Sequence, residues 1–289
     1  MRDIYQTGKK VGIPAFSIAD HRALTDELNC SSMSLKGQSA VITGAGSGIG
    51  RHVAQQFLDD GVFTVINDIS EDALAESRET LRDQGNHLRT VQGDASDPAT
   101  AEQLIETATD ETGSMDTLVN NVGIAGPTKA CKDISYEEFT ETLEVNLGSL
   151  FTLSSQAIPS LRESGGSVVN IASISGKKPL PNRVPYTTSK MGVIGFTRTL
   201  AAELAPDVRV NAICPGSVAG PRMDAVIEGQ AQSRGISIEN AREEFLSDSP
   251  MQTMVDPEDV AEMVIYLASG RAARITGQDI NVSAGAVMY

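Results

Sequence analysis

Residues 38–50 read QSAVITGAGSGIG: an apolar run breaks into glycines, and Val53, Ala54, Phe57 and Leu58 then recur at helical spacing. The pattern is a strand, a tight turn and a helix. Gly44, Gly48 and Gly50 permit positive φ and close approach of the backbone, while Ser47 and Ile49 sit where the helix opens with unpaired N–H groups. Such a helix start attracts a pyrophosphate. Taken alone, the same turn is also an ordinary strand-to-helix connection, and its meaning depends on what surrounds it.

Downstream, six further β-like runs follow, VFTVIN, LRTVQG, DTLVNN, SVVNIA, VRVNAI and DINV, separated by longer amphipathic stretches. Alternation of this kind marks βαβ units, and near-continuous apolar strands mark a sheet covered on both faces. The expected fold is therefore α/β: a Rossmann-like, doubly wound, mostly parallel seven-stranded sheet with helices on both faces. Helix starts are legible at Asp97 before Pro98, at Asp256 before Pro257, and at Ser135 with Glu138 three residues on. No repeat, low-complexity tract or linker interrupts residues 35–289, which predicts one domain there. Residues 1–34 are mixed and weakly periodic. They are expected to be an extension: an optional segment, since Met33 lies just before the domain, or an arm packed on a neighbour.

Composition narrows the function classes. The 289 residues carry 23 Lys and Arg against 38 Asp and Glu, a net charge of −15 that repels nucleic acid and anionic membranes. Cys30, Cys131 and Cys214 are scattered and form no CxxC pair, and His21, His52 and His87 lack metal-ligand spacing, so neither a disulfide framework nor a metal site is expected. No run reaches the roughly 18 apolar residues of a membrane span, and the first residues lack the apolar core of an export signal. These features predict a cytoplasmic protein in a reducing compartment.

Asp68 ends the second strand run, eighteen residues beyond Gly50, where a carboxylate can accept hydrogen bonds from an adenosine ribose and would repel a 2′-phosphate. With no Lys or Arg between Gly44 and Gly50, NAD is expected over NADP. Tyr186 and Lys190 stand one helical turn apart in PYTTSKMGVIGFTRTLAAEL, so both project from one face. An ammonium beside a phenol lowers its pKa and makes it a usable proton shuttle. Ser173 follows the strand SVVNIA, at the strand end where open α/β sheets place ligands.

Together these segments resemble the short-chain dehydrogenase/reductase family, through TGAGSGIG, GDASD, NNVG, the Asn of LEVNLGSLF, NIAS, YTTSK and CPG, from about residue 35 to the C-terminus. The resemblance implies that Tyr186 is the catalytic acid/base, that Lys190 lowers its pKa and holds the nicotinamide ribose, that Ser173 bonds the substrate oxygen, and that Asn146 anchors a water relay. It further implies that Asp94 and Ala95 flank the adenine, that Asn121 supports the adenosine side, and that Val218 lies by the carboxamide. Three departures stand out. NNVG replaces the commoner NNAG, Gly220 stands where many relatives carry a Thr, and VSAGA replaces VDGG.

The function expected on this footing is NAD-dependent interconversion of a secondary alcohol and a ketone on a polar small molecule. Two features point to a polar substrate. One is the segment 217–250, expected to cover the substrate, whose Arg222, Asp224, Glu228, Arg234, Glu239 and Glu243 do not describe a greasy lid. The other is Lys177, Lys178 and Arg183, able to favour an anion unless they are solvated surface. Alternatives are a 3-oxoacyl thioester reductase, which Asp68 disfavours, and an NAD-binding sensor without turnover, which the intact Ser173, Tyr186 and Lys190 disfavour. An extended-type epimerase is disfavoured by length and glycine spacing. Amphipathic stretches over 137–161 and 186–204 resemble those that pair across subunits in relatives, and the resemblance implies a closed homo-oligomer, a dimer or a tetramer, unless both merely cover the sheet.

Overall fold

Each of the seven apolar runs forms a strand: β1 (Ser39–Ile42), β2 (Phe63–Asp68), β3 (Leu88–Gln92), β4 (Thr117–Asn120), β5 (Ser167–Ile171), β6 (Arg209–Pro215) and β7 (Asp279–Val282). The computed structural model describes residues 34–82 and 86–289, and the expectations about the stretch up to residue 33 lie outside the described residues. Within the described chain, Leu35–Tyr289 form one compact unit.

The strands make a single sheet in the order β3-β2-β1-β4-β5-β6-β7, and every neighbouring pair is parallel. Between them run α1 (Gly48–Asp59), α2 (Glu71–Thr80), α3 (Pro98–Thr112), α4 (Tyr136–Leu143), α5 (Ser149–Ser164), α6 (Val184–Leu204), α7 (Pro221–Arg234), α8 (Ile238–Ser247) and α9 (Pro257–Ala268). Alternate strand residues point to opposite faces. Ile42, Ile66, Val119, Val169 and Ile213 pack under Phe57 and Leu58 of α1 and Val264 and Leu267 of α9. Val41, Val65, Leu118, Val168 and Val210 pack under Leu104 of α3, Leu153 and Leu161 of α5 and Leu200 of α6. Both faces of the central strands are thus dry, which is why β1, β4 and β5 are buried along their whole length, while the edge strands β3 and β7 are only partly covered.

From β1 the chain winds outward to β3 and then crosses back to β4 on the other side of β1. The strand order reverses at that point, and a crevice opens beyond the carboxyl ends of β1 and β4. Capping fixes the helices around it: Asp97 accepts from the Ala99 amide at 3.3 Å, and reciprocal boxes join Ser135 to Glu138 and Asp256 to Asp259. The first amphipathic stretch is not one regular helix. A π turn, Glu144–Gly148, separates α4 from α5, an extra residue per turn of the kind found at functional sites.

Candidate active site

The glycine turn adopts the conformation its sequence demands. Gly44 and Gly48 have φ of 60° and 52°, in the left-handed region that a side chain disfavours. At Gly50 a Cβ would lie 2.5 Å from the Gly44 carbonyl oxygen, and at Gly46 it would lie 2.6 Å from Asp68 Oδ2. The turn therefore packs too closely for any side chain at either place. Asn121, at the end of β4, ties it down by donating to the Thr43 and Gly44 carbonyls at 3.0 and 2.9 Å. Ser47 stands at the N-cap of α1 and makes no side-chain capping bond, and the positive end of that helix lines the crevice through Ser47, Gly48 and Ile49.

Asp68 closes the side of this cradle. Its carboxylate accepts from the Gly46 amide at 3.0 Å and from the Ser70 amide at 3.0 Å, which aims it along the tip of β2. Arg51, one residue past the glycines and passed over in the sequence reading, donates to the Gly46 carbonyl, to Ser77 at 3.0 Å and to Glu76 at 2.7 Å. Its charge is thus already engaged. Asp94 accepts from the amide and hydroxyl of Ser96 at 2.8 and 2.7 Å. The buried Asn67 amide oxygen, beside Asp68, has no hydrogen-bond partner among the described residues.

The other half of the site gathers at the ends of β5 and β6. Ser173 directly follows Ala172 at the β5 end, and its hydroxyl accepts from the Ser175 amide at 3.1 Å. Tyr186 lies in the first turn of α6, and Lys190 one turn on. Lys190 is 3% exposed; its Nζ donates to the Ile171 carbonyl at 2.8 Å and stands 6.0 Å from the centre of the Tyr186 ring. Asn146, in the π turn, accepts from the Ile124 amide at 2.7 Å and donates to the Ile124 carbonyl at 3.1 Å and the Ser189 hydroxyl at 2.8 Å. Ser189 in turn donates to the Tyr186 carbonyl at 2.8 Å, so the π turn and the start of α6 are locked together.

Electrostatics act on the phenol in opposite directions. Burial raises its pKa, but Lys190, Arg222, the Ser173 hydroxyl beside it and Arg183 together bring it below the ordinary tyrosine value. Burial brings Lys190 down to about 8, with Tyr186 pulling the other way.

One cavity of about 750 Å³ joins the two halves. Gly44, Ser47, Gly48, Ile49 and Asp68 line it at one end, with Asp94, Ala95 and Asn121 nearby. Ser173, Tyr186 and Val218 line it at the other. Gly50, Asn146 and Lys190 lie behind its wall. A helix start without a side-chain cap, a turn of closely packed glycines and a carboxylate at the tip of β2 suit an elongated, doubly anionic nucleotide, so the residues present fit a nicotinamide dinucleotide.

Two expectations about the substrate end need correction. Lys177 is not a substrate-facing cation: its Nζ bonds Asp279 at 2.6 Å and Asn281 at 2.8 Å and fastens β7. Lys178 reaches the cavity but is paired with Asp248. Arg183 is not solvated surface; it is 2% exposed. The lid also differs from its composition. Arg234 pairs with Glu244 and Arg242 with Asp224, while Glu228, Glu239 and Glu243 are exposed, so most of its charge lies away from the cavity. Met223, Val226 and Phe245 face inward instead. The sequence signal for this was present: Met223, Val226 and Ile227 recur at helical spacing. Gly220 has φ of 133° and open space where a Cβ would stand, so no hydroxyl serves the cavity from that position.

Comparison with known proteins agrees with this geometry. A family model described as enoyl-(acyl carrier protein) reductase matches residues 44–287. The 3-oxoacyl-acyl-carrier-protein reductase of Thermotoga maritima is 31% identical over 258 residues, which cover 89% of this chain and 100% of that protein. NAD+-bound xylitol dehydrogenase superposes with a TM-score of 0.83 at 26% identity, over 87% of this chain and 99% of that one. Actinorhodin polyketide ketoreductase with NADPH superposes with a TM-score of 0.82 at 34% identity, over 87% of this chain and 98% of that one. The two solved relatives carry different cofactors, and likeness alone does not choose between them.

Proposed function

The chain belongs to the short-chain dehydrogenase/reductase family of oxidoreductases, and on that premise we propose that it interconverts a secondary alcohol and a ketone on a polar small molecule, with NAD as cofactor. The observation that carries this reading is one continuous cavity with a phosphate-binding turn and Asp68 at one end and an acidified phenol at the other. The cofactor, when bound, supplies the hydride acceptor or donor. The turn amides at Ser47, Gly48 and Ile49 hold its pyrophosphate, Asp68 its adenosine ribose, Asp94 and Ala95 its adenine. Asn121 keeps the turn in shape, while Lys190 and Val218 serve the nicotinamide end.

Proton movement belongs to the chain itself. Tyr186 Oη takes the proton from the substrate hydroxyl during oxidation and returns it during reduction. The Ser173 hydroxyl donates to the same substrate oxygen and stabilises the charge that develops there. Lys190, with Arg222, Ser173 and Arg183, lowers the phenol pKa and so eases its proton exchange. Asn146 positions Ile124 and the start of α6, and anchors the relay that replaces the proton.

The sign of the pH dependence follows. Oxidation needs phenolate, which becomes populated as pH rises through the depressed phenol pKa; reduction needs the phenol, which is lost over the same span. Profiles of kcat/KM, followed by NADH absorbance on a panel of secondary alcohols and their ketones, should rise with pH for oxidation and fall for reduction. Parallel profiles, or cofactor binding with no turnover on any alcohol or ketone, contradict the proposal. The second reading, reduction of a 3-oxoacyl thioester, is favoured by the Thermotoga maritima relative and opposed by Asp68; activity with NADPH on a 3-oxoacyl thioester alone would select it.

A homo-oligomer is part of the same proposal. Phe151 on α5 and Met191 on α6 are 61% and 56% exposed, and these apolar side chains sit on the two stretches expected to pair between subunits.

A further inference from the structure

Two guanidinium groups at the substrate end have no acidic partner among the described residues. Arg183 lies just before α6. It donates from one terminal nitrogen to the Ala125 carbonyl at 2.7 Å, its buried Nε has no hydrogen-bond partner among the described residues, and its Cζ stands 4.8 Å from the centre of the Tyr186 ring. Arg222, in the first turn of α7, lines the main cavity. Both arginines also line a side cavity of about 390 Å³ walled by Gly123, Ile124 and Ala225. Asp248, which lines the same main cavity, is engaged by Lys178, and Asp224, two residues after Arg222, is engaged by Arg242.

A buried cation with an idle donor is costly, and an arriving anion able to take that donor removes the cost. Burial pushes the Arg183 pKa down, Tyr186 pushes it up and Arg222 pushes it down again, so no carboxylate among the described residues answers its charge. Both guanidinium groups help Lys190 lower the Tyr186 pKa, and among the described residues each still lacks a carboxylate, to which a planar guanidinium is suited through two bonds.

We propose that Arg183 and Arg222 form a carboxylate subsite, so that the substrate is a short hydroxy or keto acid whose anionic end they hold while its reacting carbon faces Tyr186. The inference rests on the oxidoreductase reading above and narrows it. Because the Arg183 guanidinium lies against the phenol ring, carboxylate and reacting carbon belong to one chain of a few carbons. The apolar walls, Ile124, Leu180, Val226 and Phe245, enclose its middle.

The test compares 3-oxo and 4-oxo carboxylates with their methyl esters, in the full chain, by two readouts: kcat/KM with NADH, and the shift in melting temperature that each compound causes in the presence of NAD+. The acids are expected to exceed their esters by about 10-fold to 100-fold in kcat/KM, chiefly through KM, and to be the ones that raise the melting temperature. Arg222→Ala, at an exposed position that tolerates truncation, brings the ratio toward one and removes the shift; Arg183→Met does the same where it folds. NAD+ affinity is measured separately in each variant. Acids that raise the melting temperature without turning over would retain the subsite and sink the oxidoreductase reading. Esters equal to acids in both readouts, no shift with any carboxylate, or variants that weaken NAD+ while leaving the acid-to-ester ratio intact would each overturn the subsite.

Discussion

Tyr186→Phe is expected to lower turnover by about 10³-fold or more, within the range of a lost general acid/base, while folding and NAD+ affinity stay close to wild type. The substitution removes one oxygen and keeps the ring. Packing against the Arg183 guanidinium and the rest of α6 is retained, and the Ser189-to-Tyr186 bond is made to the backbone carbonyl rather than to the phenol. What disappears is the group proposed to exchange a proton with the substrate oxygen. Lys190 cannot replace it, because its Nζ is buried and donates to the Ile171 carbonyl behind the cavity wall. Turnover by NADH absorbance and cofactor affinity by calorimetry check the two halves of this expectation; unchanged turnover would refute the role of the phenol.

The second large effect concerns the choice of cofactor. Wild-type protein is expected to prefer NAD over NADP by about 100-fold or more in kcat/KM, since a carboxylate and a phosphate about 4 Å apart repel by several kcal/mol at a protein surface. Asp68→Asn keeps the shape and one oxygen to accept from the turn amides, and removes the charge. Affinity for NAD should fall by about tenfold, as one charge-assisted bond to a ribose hydroxyl becomes neutral. Affinity for NADP should rise. Arg51 does not cancel this expectation, because its guanidinium is shared among Glu76, Ser77 and the Gly46 carbonyl. Preference for NADP in the wild type, or a preference unmoved by Asp68→Asn, would show that Asp68 only shapes the turn through Gly46 and Ser70.

Why the strands and the catalytic pair were legible, and the lid was not, has a physical explanation. A strand buried on both faces must be apolar throughout, so its position is written locally; all seven runs lie where the sheet has strands. Tyr186 and Lys190 are local too, one helical turn apart. Asn146 was legible only through family resemblance, because the π turn that holds it depends on Ile124 and Ser189, more than 20 and 40 residues away. The cations between Ser173 and Tyr186 could not be sorted by composition. Lys177 is spent on Asp279, about 100 residues on, whereas Arg183 is buried by walls drawn from the loop after β4. Arg234 and Arg242 in the lid are likewise spent on Glu244 and Asp224, and Met223, Val226 and Phe245 face the cavity.

At the centre of the account is a tyrosine whose proton is loosened by Lys190. The chain has five tyrosines, and ring-carbon NMR resolves their titrations one by one, with Tyr186→Phe identifying the signal of interest. The account predicts that this signal titrates below the ordinary value near 10 and moves upward in Lys190→Met. A Tyr186 signal that titrates at or above that value, and does not respond when the ammonium is removed, would contradict it.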